Sequence, residues 1–282
     1  MKIAVTAANG QLGSAIVHQL IQDVGPKSIV AIARTPAKAE HLGVEVRKGD
    51  YTQQQAFEQA LTGIDAVCII SANGDPALRV PMHRNIIKAA KVCRVNKIVY
   101  TSVLGEEEGS SFSPIIQSNR QTERDIQASG LDWVIGRNGI YIEPDLEYID
   151  TYVKEGGIKN SAADGKCAYT SRAELAVAYS HVLREDKHSR QLYNLVGEAV
   201  SQAELAELIN QVYGTQLTYT SMTIEEYEAE RKAALGEFLG TVIAGIYSSM
   251  RKGAYEVESH FESASGRPHK NPHQMIADFK SA

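Results

Sequence analysis

The chain has 282 residues, enough for one large domain or a domain with a smaller lobe. Apolar residues make up 43% and charged residues 22%, the usual balance of a globular chain, which sets disorder and low complexity aside. With 29 basic against 34 acidic side chains the net charge is −5, which argues against a nucleic-acid partner because phosphate backbones need a basic face. No run of about 18 apolar residues occurs, so no membrane span is expected. The first strand is expected to begin at Lys2, so no signal peptide is expected. Cys68, Cys93 and Cys167 lie far apart with no CxxC pair, so neither a disulfide framework nor a metal site is expected, and a reducing cytoplasm is the expected location.

Up to residue 137 two patterns alternate. β-Branched runs at Ile3–Thr6, Ser28–Ala33, Val44–Lys48, Ala66–Ser71, Lys97–Thr101 and Trp133–Arg137 predict strands. Between them Gln11–Gln22, Pro36–His41, Gln53–Leu61, Val80–Cys93 and Ser118–Ser129 predict helices. The strands are continuous apolar runs, as expected for a parallel sheet buried on both faces. Strand–helix repetition then predicts a doubly wound α/β fold of the Rossmann type, with ligands outside the carboxyl ends of the strands. Beyond about Ile140 the chain is mostly helical. Helices are predicted at Ser171–Arg184, Ser201–Tyr213 (with Glu204 at capping-box spacing), Ile224–Ala234 and Phe238–Arg251, and a polar tail precedes a last helix. The expected organisation is a dinucleotide-binding domain over 1–140 and a smaller, interleaved substrate lobe over 141–282.

The first strand runs into Thr6-Ala7-Ala8-Asn9-Gly10-Gln11-Leu12-Gly13. A dinucleotide loop needs small residues so that backbone N–H groups can approach a pyrophosphate at a helix start. Gly10 and Gly13 fit that need. Ala7 stands where the first glycine usually serves the tight turn, and alanine suits the place if φ stays negative. After the second strand comes Arg34, with Lys38 one helical turn on. An acidic residue at that point binds the ribose of NAD; a cation suits the 2′-phosphate of NADP, so NADPH is expected ahead of NADH. Asp50, after the third strand, is either an adenine acceptor or a helix N-cap.

These stretches identify the chain as similar to the NmrA-like atypical short-chain dehydrogenases/reductases, the branch that holds bacterial quinone oxidoreductases of the second type and triphenylmethane reductase. The resemblance lies in VTAANGQLG (Val5–Gly13), VAIARTPAKA (Val30–Ala39), VRKGDY (Val46–Tyr51), HRNIIKAAK (His83–Lys91), IVYTS (Ile98–Ser102), RNGIY (Arg137–Tyr141) and DGKCAYTSRAELA (Asp164–Ala176), in an order that covers nearly the whole chain. It implies that Thr6, Ala7, Ala8, Asn9, Gly10, Gln11 and Leu12 hold the pyrophosphate, and Arg34 with Lys38 the adenosine phosphate. It also implies that Ser71, Ala72 and Asn73 line the ribose side, with Thr101 and Ser102 beside them. Arg137, Asn138, Gly139 and Tyr141 would border the nicotinamide, and Gly165 to Thr170 would close over from the lobe. The chain departs from the family at Ala7, where glycine is usual, and at Asn9, where threonine is usual. Asn119 and Arg124 stand on the helix where relatives carry His and Lys.

None of the 13 tyrosines is followed by lysine at the fourth position, so the Tyr-x-x-x-Lys pair of alcohol dehydrogenases and epimerases is absent. Quinone reduction tolerates that loss, because hydride addition to an electron-poor ring gives a stabilised phenolate. The leading expectation is an NADPH-dependent oxidoreductase acting on a quinone or similar conjugated small-molecule acceptor, with Tyr141, Asn138 and Arg124 as hydrogen-bond donors to its oxygen. The alternative is a non-enzymatic NAD(P)-binding redox sensor of the NmrA type; a sugar-nucleotide epimerase ranks third. His83 is expected at the surface or a cofactor edge, and Glu106–Glu108 as a solvated loop. His269 and His273 are separated by Pro272, which argues against a helical metal pair. A homodimer is left open.

Overall fold

The computed structural model describes residues 1–281. In chain order the first half contains β1 (Ile3–Val5), α1 (Gln11–Val24), β2 (Ile29–Ala33), β3 (Glu45–Lys48), α2 (Gln54–Ala60), β4 (Ala66–Ile70), α3 (Pro76–Val92), β5 (Lys97–Val103), α4 (Ser113–Gln127) and β6 (Asp132–Asn138). The second half contains α5 (Glu143–Glu147), α6 (Ile149–Glu155), β7 (Gly157–Asn160), β8 (Lys166–Ala168), α7 (Arg172–Arg184), β9 (Gln191–Leu195), β10 (Ala199–Ser201), α8 (Gln202–Tyr213), β11 (Thr218–Ser221), α9 (Ile224–Leu235), α10 (Glu237–Arg251), α11 (Phe261–Ser265) and α12 (Pro272–Ser281).

Seven parallel strands form the sheet in the order β3-β2-β1-β4-β5-β6-β9. The expected Rossmann fold is therefore present. Beyond residue 140 the chain returns to it: β9 pairs with β6, and α7 packs on α1. Strand alternation explains the continuous apolar runs. Ile3, Val5, Ala31 and Ala33 face α1, α7 and α11, whereas Ala4, Val30 and Ile32 face the layer of α2, α3 and α4. Both faces of the strands are thereby removed from water. Strand order reverses between β1 and β4, which puts the switch point above the loop that follows Val5.

Element boundaries follow local capping chemistry. α3 begins four residues ahead of the predicted Val80, because the Asp75 carboxylate accepts from the Ala77 N–H (2.9 Å) and Pro76 suits a first helical position. α4 starts at Ser113 instead of the predicted Ser118, with Pro114 in its first turn. The predicted helix Pro36–His41 is two short 3₁₀ turns, Pro36–Lys38 and Glu40–Leu42, ended by left-handed Gly43. The capping box of Ser201 and Glu204 is formed as expected, and Thr223 with Glu226 forms a second one.

The smaller lobe has its own core, built by α5, α6, α8, α10, α12 and the short strands. A buried carboxylate ties it together. Asp145 on α5 accepts from the hydroxyls of Tyr152 (2.8 Å), Tyr169 (3.1 Å) and Tyr247 (3.1 Å), which come from three other segments. Burial pushes the Asp145 carboxyl above its ordinary range, and the three phenols pull against that shift. Among the described residues no helix is long and apolar enough to cross a membrane.

Candidate active site

The turn after β1 differs from the expectation for it. Ala7 has φ +48°, in the left-handed region, so it adopts the conformation that the first glycine of such a loop would take. Two backbone bonds hold it there: the Gly10 N–H donates to the Ala7 carbonyl (2.9 Å) and the Ala8 N–H donates to the Ile32 carbonyl (3.1 Å). A left-handed alanine costs about 1–2 kcal/mol, partly offset by the extra freedom glycine has in the unfolded chain. Ala7→Gly is therefore expected to stabilise the protein by up to about 1 kcal/mol. For a chain of this size that is a rise in Tm of about 2–4 °C, read by a thermal melt. An unchanged or lower Tm would show that the turn carries no strain at Ala7.

Gly13 is required by packing instead of by φ. A Cβ there would lie 2.5 Å from the Ala7 carbonyl oxygen and 3.0 Å from the Ala8 Cα, so only glycine lets α1 sit against the loop. The helix start is unlike several others in the fold. The side chains of Asp75, Ser171, Ser201 and Thr223 cap α3, α7, α8 and α9, but Gly10 offers none to α1, and the first turn of α1 carries no acid. Its backbone donors and the positive end of its dipole stay available to an anion.

That helix start opens into a cleft of about 640 Å³ along the carboxyl ends of the strands. Of the residues expected at a cofactor, Ala7, Asn9, Gly10, Gln11, Leu12, Arg34, Lys38, Asp50, Ser71, Ala72, Asn73, Thr101 and Tyr141 line it. At one end Arg34 and Lys38 are exposed, and among the described residues neither forms an ion pair. Asp50 Oδ1 accepts from both the N–H (2.9 Å) and the hydroxyl (2.8 Å) of Thr52, an Asx turn ahead of α2 and not its N-cap, which is Gln53 without a side-chain bond; the Thr52 bonds, with the charges of Arg34 and Lys48, hold the carboxyl below its ordinary range.

Thr6 and Ala8 are fully buried beneath the loop. Thr6 closes a ring of three bonds that sequence reasoning missed. Its hydroxyl meets that of Tyr51 (2.6 Å), Tyr51 donates to the Ile70 carbonyl (2.7 Å), and the Ile70 N–H returns to Thr6 Oγ1 (2.9 Å). The ring ties the ends of β1 and β4 to Tyr51, which itself lines the cleft. His83 lies at neither surface nor cofactor edge; it is fully buried. Its Nε2 accepts from the Ala72 N–H (2.8 Å), which leaves the proton on Nδ1 for Thr122 Oγ1 (2.8 Å). Burial, helped by the Arg79 charge, lowers its pKa to about 3, so it stays neutral and fixes the Ser71–Asn73 loop.

At the other end Tyr141 and Arg172 line the cleft. Tyr141 is held by the crossing of the two halves: Thr170 donates to the Ile140 carbonyl and Ile142 to the Thr170 carbonyl, both at 2.9 Å. Gly139 serves that crossing and does not line the cleft, because a Cβ there would lie 2.6 Å from the Ala168 carbonyl oxygen. Asn138 is buried behind Tyr141. Its amide donates to the Tyr141 hydroxyl (3.1 Å) and its oxygen accepts from Tyr179 (2.5 Å). The Arg172 guanidinium stands 5.4 Å over the Tyr141 ring. Burial raises the Tyr141 pKa, against the opposing pull of the Asn138 bond and the Arg172 charge.

The residues present fit a dinucleotide with a phosphate at its adenosine end: an uncapped helix start, a close approach that only Gly13 permits, and an unpaired cation pair. A family model described as NAD(P)H-binding matches residues 7–186. An NmrA-like family domain-containing oxidoreductase of Aspergillus flavus is 27% identical over 80% of the chain and 76% of its own length. The chain belongs to the NAD(P)H-binding, NmrA-like family. Quinone oxidoreductase 2 of Escherichia coli is 34% identical over 82% of the chain and 81% of its own length. The structure of the E. coli NADPH-dependent quinone oxidoreductase complexed with NADPH superposes with a TM-score of 0.91 over 99% of both chains, at 32% identity. Triphenylmethane reductase of Citrobacter sp., complexed with NADP(H), gives 0.90 over the full length of both chains at 30% identity.

Besides Thr6, Ala8, Asn138 and Gly139, three further expected site residues of this NmrA-like chain do not line the cleft. Ser102 and Arg137 are bound into a charge network and do not line the cleft. Glu123, 3% exposed, takes two bonds from Arg137 (2.6 and 3.1 Å), one from Arg120 (2.7 Å) and one from Ser102 (2.5 Å). Arg124, expected as a donor to the acceptor, is exposed and turned toward Gln121 (3.2 Å) and Glu107 (3.8 Å). One residue along a helix is a turn of about 100°, and here Glu123 takes the face toward the sheet. Asn119, also on that face, accepts from Arg79 (3.0 Å) and Tyr100 (2.6 Å). The inner face of α4 thus presents neither tyrosine nor lysine to the cleft.

Proposed function

We propose that the protein is an NADPH-dependent reductase that delivers hydride to a quinone or a similarly conjugated small molecule. One observation carries the reading: a single cleft joins an unpaired cation pair at its phosphate end to Tyr141 and Arg172 at its other end, with no Tyr-x-x-x-Lys pair beside it. Bound NADPH would supply the hydride. Gln11, Leu12 and the backbone of the Ala7–Gly10 turn would hold the pyrophosphate, and Arg34 and Lys38 the 2′-phosphate. The likeness to E. coli quinone oxidoreductase 2 and to triphenylmethane reductase supports a flat, conjugated acceptor.

Tyr141 already accepts a hydrogen bond from Asn138, so its own O–H is free to donate into the cleft. With its pKa raised it remains a neutral phenol at working pH, and it orients an acceptor oxygen without having to ionise. Arg172, anchored by Glu143 (3.9 Å) and Glu147 (3.7 Å), supplies positive charge where a phenolate oxygen would develop. The three thiols, none of them in a disulfide, suit work in a reducing cytoplasm.

Consumption of NADPH against a panel of quinones and triphenylmethane dyes tests the proposal. Tight NADPH binding without turnover on any of them would overturn it and leave a nucleotide sensor. Tyr141→Phe is expected to lower kcat about threefold to tenfold, the value of one neutral hydrogen bond, with the Kd for NADPH unchanged. An equal effect on NADPH binding would place Tyr141 on the cofactor instead of the acceptor.

A further inference from the structure

Far from the cleft, at the opposite edge of the sheet, His181, Glu185 and His188 converge where α7 ends and β9 begins. We propose that these three side chains form a binding site for a divalent transition-metal ion, with Zn²⁺ the best match. The proposal is independent of the reductase reading.

His181 lies in the last turn of α7. Glu185 ends that helix with extended backbone (φ −112°, ψ 132°), and a 3₁₀ turn over Asp186–His188 brings His188 back toward the same point. Each residue offers a ligand atom within 4.8 Å of the other two. Two separations are more telling, one to each oxygen of the same carboxylate: His181 Nε2 is 2.8 Å from Glu185 Oε1, and His188 Nε2 is 3.7 Å from Glu185 Oε2. Bonds of about 2.0–2.1 Å to a tetrahedral ion space neighbouring ligands by about 3.3 Å, so the two separations bracket the needed value. Two imidazoles and one carboxylate leave a fourth position for water.

Both rings are already oriented through the nitrogen that would not bind metal. His181 Nδ1 donates to the Ala264 carbonyl (3.0 Å), and His188 Nδ1 meets the Tyr193 hydroxyl (2.8 Å); His181 Nδ1 also lies 3.3 Å from His188 Nε2, a contact that an ion on His188 Nε2 would replace. Such outer bonds fix the tautomer and aim of metal-binding histidines. His188 is 1% exposed, so its ring is held in place by the packing around it. A hydrogen on Gly266 replaces the Cβ that would otherwise lie 3.3 Å from His181 Nε2, which keeps that approach open. Two contacts must yield: the 3.3 Å approach of the two imidazoles, and the pair of Lys187 Nζ with Glu185 Oε2 (2.7 Å), whose lysine side chain is 61% exposed; such surface pairs are weak. A bound ion would join the end of α7 to β9 through Tyr193 and to α11 through Ala264, so its effect is on stability and not on hydride transfer.

The test uses the full-length protein after treatment with a chelator. Zn²⁺ titration by calorimetry is expected to show one equivalent per chain, and Co²⁺ the intense visible bands of a tetrahedral site. Zn²⁺ should raise Tm, because it binds the folded state. Glu185→Gln and His181→Gln are expected to weaken Zn²⁺ binding at least about tenfold, with NADPH affinity unchanged as the control for folding. Glu185 is partly exposed, so Glu185→Gln alone suffices should the histidine variant unfold. Zn²⁺ affinity unchanged in Glu185→Gln, or no saturable binding to the unsubstituted protein, would overturn the proposal.

Discussion

Glu123→Ala is expected to remove about 3–5 kcal/mol of folding stability, the usual consequence of leaving buried charge without its partner. The substitution strands Arg120, 6% exposed, and frees two bonds of Arg137 and the hydroxyl of Ser102. Urea unfolding reads the loss, and Glu123→Gln, which keeps the shape and part of the hydrogen bonding, should recover a fraction of it. The same network predicts a pH dependence. Burial pushes the Glu123 carboxyl up, but Arg137, Arg120 and Ser102 outweigh burial and leave it below the ordinary carboxylate range. Because the folded value is the lower one, the contribution is fully present above the unfolded carboxylate pKa and is lost as pH falls through the folded value. Glu123→Gln should remove that acid-side slope. A slope equal to that of the unsubstituted protein would assign it to other carboxylates.

Arg34→Ala should weaken NADPH binding by about 1–3 kcal/mol, or about 5- to 150-fold in Kd, with little change for NADH. Arg34 lines the cleft and forms no ion pair among the described residues, although its charge acts on the nearby Asp50 carboxyl. Lys38 lines the same cleft, and the double replacement should lose more than Arg34→Ala alone. Titration of each nucleotide by fluorescence or calorimetry separates the cases. Equal loss for NADPH and NADH would show that the arginine does not discriminate the 2′-phosphate, and a site that preferred NADH from the outset would remove the basis for choosing NADPH.

Much of the cofactor end was legible from sequence because its signals are local. β1, the loop to Gly13 and the cation after β2 lie within single strand–helix units, and the apolar runs demand a sheet covered on both faces. What the resemblance implied at the strand ends was less uniform. Thr101 and Ser102 are neighbours on one strand, so their side chains point to opposite faces. Thr101 Oγ1 accepts from the Ser71 N–H (3.0 Å) at the cleft, while Ser102 turns to Glu123. Arg124 missed the site for the corresponding helical reason. Tyr51 and Arg172 line the cleft from within stretches that carry the resemblance, and Met82 from just ahead of one, but no role was expected of them, because they arrive from separate elements and only the fold brings them together. His181, Glu185 and His188 drew no expectation from the sequence: they stand at i, i+4 and i+7, but a helix end falls between them, and only the turn after Arg184 brings the third residue back.

The sequence by itself determined the fold class, the switch-point loop and the presence of a cation after β2, because periodicity, small residues and a single cation act through bonds a few residues long. Tertiary structure decided the rest. It set the left-handed turn at Ala7, which depends on a bond from Ala8 to β2. It buried His83 under the Ser71–Asn73 loop and brought Tyr141 and Arg172 together at the cleft. Those outcomes depend on which side chains meet across elements far apart in the chain, and that is fixed only when the core closes and every buried polar group must find a partner.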